Sequence, residues 1–328
     1  MSKATFRVTL LAEVCLATCF AQQITSFDAP GAANTFAVAI NADGQIAGFY
    51  TDTAGNTHSF LRQVNGGINS FDVAGSTGTT AMAINDSDAV VGYYTDASNV
   101  SHGFLRDSSG GITSIDVPGA TGTSATCVNR AGTIAGDYTD SAFNSHGFEE
   151  DAAGHITLFD PPGSSSTSVI GISNAGHIVG YYFDSASVVH GFLRGIGGDI
   201  TSFDVPGATA TFALAVNSVG HVAGYYTDST GGGTHGFFWR KSGDVDTFDV
   251  PGSVLTLAVS DNSVDDVLGS YADTAFVAHG FVRDQSGNFT SFDPTGSIQT
   301  LALSINSDDW ITGSYTDIAG AVHGYLRQ

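Results

Sequence analysis

Seven histidines recur beside carboxylates, and any chemistry in this chain must start from them. His58, His102, His146, His190, His235, His279 and His323 follow Asp52, Asp96, Asp140, Asp184, Asp228, Asp273 and Asp317 by six residues, or seven at His235. A second aspartate recurs at Asp28, Asp72, Asp116, Asp160, Asp204, Asp249 and Asp293, and a threonine at Thr35, Thr79, Thr123, Thr167, Thr211, Thr256 and Thr300. An imidazole between carboxylates can act as a general base, help hold a cation, or lock a loop. Sevenfold repetition argues for the lock, since an active site needs one asymmetric arrangement. On that reading the Asp–His–Thr networks are structural and the carboxylates raise the histidine pKa. Carboxylates, hydroxyls and carbonyls also suit calcium, at rim positions such as Asp72, Asp96, Asp116 and Asp140, although no D-x-D-x-D loop is present. One histidine per repeat spreads ligands too widely for zinc. No G-x-S-x-G elbow supports Ser–His–Asp hydrolysis.

Departures from the repeat are the better pointers to a unique site, because uniform stability does not require them. The position of Gln45 becomes His177, His221, Asp266 and Trp310 in four consecutive repeats. His177, His221 and Asp266 are the candidate catalytic residues. Trp310, Trp239, His177 and His221 are the candidate ligand contacts, the tryptophans by stacking on a sugar ring. Drift in turn sequence is the plainer explanation. The position of Arg62 becomes Glu150 and Trp239, and Arg240 and Lys241 make the latter the one basic spot. Variation there reads as solvated surface. His155 stands in a turn without a role. Cys127 occupies a position held elsewhere by Ala39, Ala83 and Ala215, so it reads as a small buried thiol.

The elements that must position these residues repeat with them. A glycine returns at Gly48, Gly92, Gly136, Gly180, Gly224, Gly269 and Gly313, in steps of 44 residues with one step of 45 at the Gly231–Gly233 loop. A Tyr follows each by two residues. Each repeat reads as four short strands, in the second Ile68–Asp72, Thr79–Asn85, Ala89–Asp96 and His102–Asp107, separated by Gly, Asn, Asp and Ser turns. No stretch holds a 3.6-residue period. Four-strand units at this spacing predict an all-β, seven-bladed β-propeller with four antiparallel strands per blade. The chain ends before the last unit's fourth strand, and Ile24–Asp28 is a spare copy of it. Pairing Ile24–Asp28 with His323–Arg327 would close the ring. A parallel solenoid is the alternative. In the propeller, both Asp positions, the His and the Thr gather on one face of the disc, and the Gln45 position lies on the other.

The block Asn41–Gly48 (N-x-x-G-x-I-x-G) with His58–Phe60 (H-x-F) resembles the HAF-type extracellular repeat of secreted bacterial proteins, over Ile24 to Gln328. Gly103 and Gly147 stand at that family's Ala, and Ser173 replaces the recurring Asn. The resemblance implies export and repetition, and no settled chemistry. Residues 1–21 fit a signal peptide: Lys3 and Arg7, an apolar run from Val8, and Cys19-Phe20-Ala21 before Gln22. A partial lipobox at Leu16–Cys19 allows a lipid anchor. The domain is then 22–328, secreted to the cell exterior or periplasm and monomeric.

The formal charge of −22, or −23 without the leader, disfavours nucleic acid and anionic membranes as partners. Glycans, proteins and cations remain. The leading expectation is a non-enzymatic binding or scaffold protein without an organic cofactor. Its ligand would be a glycan or protein at one face or the channel mouth. The alternatives are a lyase or hydrolase acting on polysaccharide, and a calcium-stabilised structural module.

Overall fold

The structure, a computed structural model, describes residues 23–229 and 232–328. The leader expected over 1–21 lies outside them, as do Thr230 and Gly231 in the longer loop of the fifth repeat. The described residues form 28 β-strands and no helix, so none contains a helix long and apolar enough to cross a membrane. Strands of four to nine residues are rich in Val, Ile, Phe, Tyr and Thr, and Gly-, Asn- and Asp-bearing turns end them.

The chain opens with β1 (Ile24–Phe27). Antiparallel quartets follow: β2 (Ala32–Ile40), β3 (Ile46–Asp52), β4 (Thr57–Arg62) and β5 (Ile68–Phe71); then β6 (Gly78–Ile84), β7 (Val90–Thr95), β8 (Ser101–Arg106) and β9 (Ile112–Ile115). The third is β10 (Gly122–Val128), β11 (Ile134–Thr139), β12 (Ser145–Glu150) and β13 (Ile156–Phe159). Next come β14 (Ser164–Ile172), β15 (Ile178–Asp184), β16 (Val189–Arg194) and β17 (Ile200–Phe203), and β18 (Ala208–Val216), β19 (Val222–Asp228), β20 (Thr234–Trp239) and β21 (Val245–Phe248). The sixth is β22 (Leu255–Asp261), β23 (Val267–Ala272), β24 (Ala278–Arg283) and β25 (Phe289–Phe292). Single parallel pairings, Val189 with Ala210 and Thr234 with Leu255, join the fourth, fifth and sixth quartets edgewise. Finally β26 (Ser297–Ile305), β27 (Ile311–Asp317) and β28 (Val322–Arg327) form a sheet whose fourth strand is β1, with Ile24 opposite Arg327 and Phe27 opposite Gly324.

The core lies between quartets. Ala47 and Leu61 of the first pack with Ala81, Ile84, Val90 and Phe104 of the second, and the same sandwich recurs down the chain. The third strand of each quartet contributes a fully buried ring: Phe60, Phe104, Phe148, Phe192, Phe237, Phe281 or Tyr325. That ring explains the periodic glycine. A Cβ on Gly92 would lie 2.0 Å from the Thr80 carbonyl oxygen and 2.9 Å from the Phe104 ring, so no side chain fits.

Every first strand carries a β-bulge that the sequence did not disclose. The register skips between Ala37 and Ala39, Ala81 and Ala83, Ala125 and Cys127, and at the matching places in the other four. A bulge turns one extra residue off the pleat. This is why apolar residues follow one another there without alternating.

Candidate functional site

At one end of each quartet the hairpin aspartate, the histidine and the second aspartate do meet. The histidine opens the third strand, and Nδ1 bonds to the aspartate that follows the fourth strand at 2.7–2.9 Å in all seven. In the last, His323 of β28 bonds to Asp28 beyond β1, so residues 295 apart in sequence rebuild the same pair. Nε2 lies 3.3–3.7 Å from the hairpin aspartate, which is mostly too long for a good hydrogen bond. Each ring also packs on the recurring tyrosine of the second strand, with centroids 5.0–5.2 Å apart.

Each carboxylate has a nearer task. Oδ1 of Asp52 accepts the backbone N–H groups of Ala54 and Asn56, and Asp96, Asp140, Asp184, Asp273 and Asp317 build the same turn. These bonds lower the acid: Asn56, through its side chain and then its backbone, brings Asp52 to about 2. Asp140 is likewise held at about 2, by the backbone and side chain of Asn144. In His58 and His102 the hydrogen bond to Asp72 or Asp116 is the largest influence and raises the pKa. In His146, His190, His279 and His323 partial burial is the largest single influence and lowers it, but the two carboxylates together outweigh it and the net shift is upward.

In five repeats the threonine stands outside this network, and in two it joins it. Thr35, Thr79, Thr123, Thr211 and Thr256 are buried and accept the N–H of the residue after the second aspartate: Ala29, Val73, Val117, Val205 and Val250, at 3.1–3.2 Å. In the remaining two repeats that residue is Pro161 or Pro294, which has no N–H. There the hydroxyl turns and donates to the carboxylate: Thr167 to Asp160 at 2.5 Å and Thr300 to Asp293 at 2.6 Å. The Asp-Pro pairs were the legible signal of this switch.

At the rim positions suited to calcium the carboxylates already take part in hydrogen bonds. Asp72 and Asp116 accept from imidazole nitrogen, and Asp96 and Asp140 from backbone N–H groups. Calcium requires six to eight oxygens, and at least one oxygen of each of these carboxylates already faces an N–H donor. Among the described residues no group of three or more His, Cys, Asp or Glu could hold a metal.

The four departures at the Gln45 position lie on turns at the opposite end of the quartets. His177 is buried against Ser173, and burial, followed by Lys241, lowers its pKa. His221 is half-buried, with Nδ1 3.2 Å from Asp265 of the next repeat. Asp266 is tied to Asn262 in its own turn. These bonds run within a turn or to the next repeat rather than between the three candidates. Trp310 is no open platform: its ring lies over Gly44 of the first quartet, where an added Cβ would sit 2.3 Å away, and it packs with that quartet's core. Here side chains stitch repeats together. Asn41 donates to the Asn85 carbonyl, Asn85 to that of Asn129 and Asn306 to that of Asn41, at 2.9–3.3 Å.

Trp239 is not the ligand contact expected: it is 7% exposed and stacks on Phe203 with centroids 4.8 Å apart, so it offers no face to a ligand. Its position is not solvated surface. Arg62, Arg194 and Arg327 are buried there, each guanidinium 4.6–4.9 Å from an aromatic ring (Phe27, Phe159, Phe292) of the neighbouring sheet. Arg106 and Arg283 lie similarly over Phe71 and Phe248. Glu150 is the exception that follows the rule, because its neighbour at the aromatic position is Ile115 and not Phe. Of the basic spot, Arg240 is paired with Asp246 at 2.8 Å. His155 bonds to Asp151 in an exposed turn. Cys127 is buried, which pushes its thiol up to about 12.

The first strands surround a cavity of about 550 Å³. The bulged residues Val38, Met82, Thr126, Ile170, Leu214, Val259 and Leu303 all line it, one from each repeat. A second cavity of about 270 Å³ lies toward the Asn turns, walled by Ile40, Ile84, Val128, Ile172, Val216, Asp261 and Ile305. Two acids break the repeat here, and sequence reasoning missed both. Asp137 holds a position that is Phe, Tyr or Ser elsewhere. It accepts the Val169 N–H at 2.7 Å, and burial pushes it up to about 7. Asp261 stands where six repeats carry Ile or Val. Its Oδ2 is buried without a hydrogen-bond partner, and burial, then Asp265, raises its pKa well above the usual range. The signal was present: a charged residue in an otherwise aliphatic column.

The same arrangement of sheets is found in solved structures. The β-propeller domain of the Trilobed protease from Pyrococcus furiosus superposes with a TM-score of 0.63 at 8% identity, over 90% of this chain and 96% of that one. The fold is a β-propeller. Virginiamycin B lyase from Staphylococcus aureus matches this propeller with a TM-score of 0.61 at 11% identity, over 94% of this chain and 99% of that one. A prolyl endopeptidase matches at 0.64 and 13% identity, over 90% of this chain and 48% of the other. No protein-family model matches the sequence, and no curated protein matches it by sequence. At these identities the likeness concerns fold alone.

Proposed function

We propose that the protein is an exported, non-enzymatic binding or scaffold propeller. We read its sheets as seven blades closed into a ring. Support for the ring comes from the pairing of β1 with β28, the bond from Asn306 to Asn41, and Trp310 seated on Gly44. Support for export comes from the leader pattern of residues 1–21 and the HAF-type resemblance. The ligand is a glycan or a protein, bound on the face that carries the histidine rim.

The observation that carries this reading lies at two hairpin tips on that face. Phe143 and Phe276 are 83% and 76% exposed, and their backbones are left-handed, with φ +66° and +61°. The matching residues include Gly55 and Gly320, for which that conformation is unstrained, and the small polar Asn99 and Ser187, which share it at φ +67° and +64°. A left-handed non-glycine residue costs about 1–2 kcal/mol, and an exposed ring gains nothing from burial. Large exposed aromatic rings on this left-handed backbone, on two blades only, point to binding. The uniform His–Asp pairs beneath are the frame that holds these tips.

The test is a glycan array and a pull-down from the native extracellular milieu, run with the protein and with Phe143→Gly/Phe276→Gly. Binding that disappears in the variant, while its melting temperature holds or rises, supports the reading. Blank arrays and pull-downs together with measurable turnover of a polysaccharide would overturn it.

A further inference from the structure

The channel acids go beyond the rim site. Asp261 borders both cavities, and Val128, Ile172 and Val216 line both with it, so the smaller cavity at the Asn turns is a vestibule to the larger one. The larger cavity, about 550 Å³, is within the range that holds small organic ligands. Its bulge girdle is mostly aliphatic, supplying Val, Met, Ile and Leu with Thr126 satisfied by the Val169 carbonyl at 2.9 Å, while Ser168, Tyr181, Ser260 and Ser304 add hydroxyls elsewhere on the wall. A carboxyl with a buried, unpartnered oxygen destabilises a fold, and six repeats show that Ile or Val serves the architecture there. Asp137 adds a second carboxyl to the same wall.

This combination selects a class of ligand. A bare divalent metal ion would need six or more oxygens; the side-chain oxygens of this wall, on Thr126, Asp137, Ser168, Tyr181, Ser260, Asp261 and Ser304, come singly or in pairs from different repeats, and among the described residues no group of three or more His, Cys, Asp or Glu could hold a metal. An anion would meet two carboxyls. A neutral apolar molecule would leave Asp261 as unpaired as before. A monocation with an apolar body satisfies both parts of the wall. We propose that the central channel is a binding site for a small amphipathic ammonium ion, its alkyl part in the bulge girdle and its charged nitrogen on the Asp261 carboxylate.

Binding is coupled to loss of a proton from Asp261, because the cation stabilises the charged acid. The ionisable groups around it are Asp265 and Asp266 on its own turn, His221, which bonds to Asp265, and Asp309, which accepts from Asn262. Of these, Asp265 is the one that raises Asp261 further.

Isothermal titration of the whole protein with n-hexylammonium, hexan-1-ol and hexanoate tests the proposal, in two buffers of different protonation enthalpy. The expected result is roughly tenfold or greater preference for the amine over the alcohol, no binding of hexanoate, and proton release on amine binding. Asp261→Ile restores the residue of the other repeats, so it should fold at least as stably and lose both the amine preference and the proton release. Asp261→Asn keeps the shape and should lose them too. Phe143→Gly/Phe276→Gly should leave amine binding unchanged. Equal affinity for amine and alcohol, an amine preference that survives Asp261→Ile, no amine binding, or loss of it in the rim variant would each overturn the proposal. None of these outcomes alters the array and pull-down result on which the rim reading stands.

Discussion

The threonine switch allows one molecule to serve as its own control. Thr211 and Thr167 are both 0% exposed, and Val matches Thr in volume, so Thr→Val removes a hydroxyl from either without opening a cavity. In Thr211→Val the Val205 N–H loses its 3.1 Å acceptor, and that donor is buried. An orphaned buried N–H costs about 1–3 kcal/mol. In Thr167→Val the hydroxyl lost is a donor to Asp160, whose side chain is 37% exposed. Water can replace that bond, and Pro161 leaves no N–H to orphan, so the cost is at most about 1 kcal/mol. Unfolding entropy near 2.1 cal/mol/K per residue gives a chain of about 300 residues roughly 1.5 °C per kcal/mol. Calorimetry should therefore show a fall of about 2–5 °C for Thr211→Val and of about 1.5 °C or less for Thr167→Val. Hydrogen exchange followed by mass spectrometry should show lost protection at Val205 alone. Equal shifts, or a larger one for Thr167→Val, would refute the assignment of donor and acceptor roles.

Other expectations follow from the same geometry. Ile115→Phe with Glu150→Arg should rebuild the missing stacked pair, and a double-mutant cycle should show a favourable coupling of about 0.5–2 kcal/mol; zero coupling would mean that the stacks are incidental. Gly31→Ala and Gly44→Ala both force a side chain into left-handed backbone, but only the second strikes Trp310. Gly44→Ala should cost about 1–3 kcal/mol more and shift tryptophan emission, and matching losses would argue against a seam there.

Stability should also depend on pH in a defined direction. The raised histidines contribute fully below their unfolded pKa of 6.5 and lose that contribution as pH rises through their higher folded values. Asp137, at about 7 when folded against 3.8 ordinarily, gives a loss of the same sign between those values. Asp52 and Asp140 act oppositely, with stability present above 3.8 and lost as pH falls toward 2. The melting temperature should peak near pH 4–6 and fall toward pH 8. Asp137→Ser, which keeps an acceptor for the Val169 N–H, should flatten part of the fall. A melting temperature that is level or rising from pH 5 to 8 would contradict this.

The period of the glycines, the strand-forming runs and the Asp and Asn turns were all legible in the sequence. They are local properties: the sequence places the second repeat's strands at Ile68–Asp72, Thr79–Asn85, Ala89–Asp96 and His102–Asp107, and the strands fall within about a residue of those bounds. The convergence of His with two aspartates also followed from strand direction. What the repeat concealed were facts about neighbours. A bulge is a choice of register between two strands, and no single strand announces it. Trp239 and Arg62 look like surface until the adjoining sheet covers them. Trp310 looks free until the first repeat's Gly44 lies beneath it. Asp261 looks like one more acid in an acidic chain until six aliphatic residues from distant repeats surround the same space. Sequence determines what each unit can become, because propensity and turn chemistry act over a few residues. Which faces meet water, and which carboxyl is left without a partner, depends on residues more than 40 positions away in the chain, and only packing brings those together.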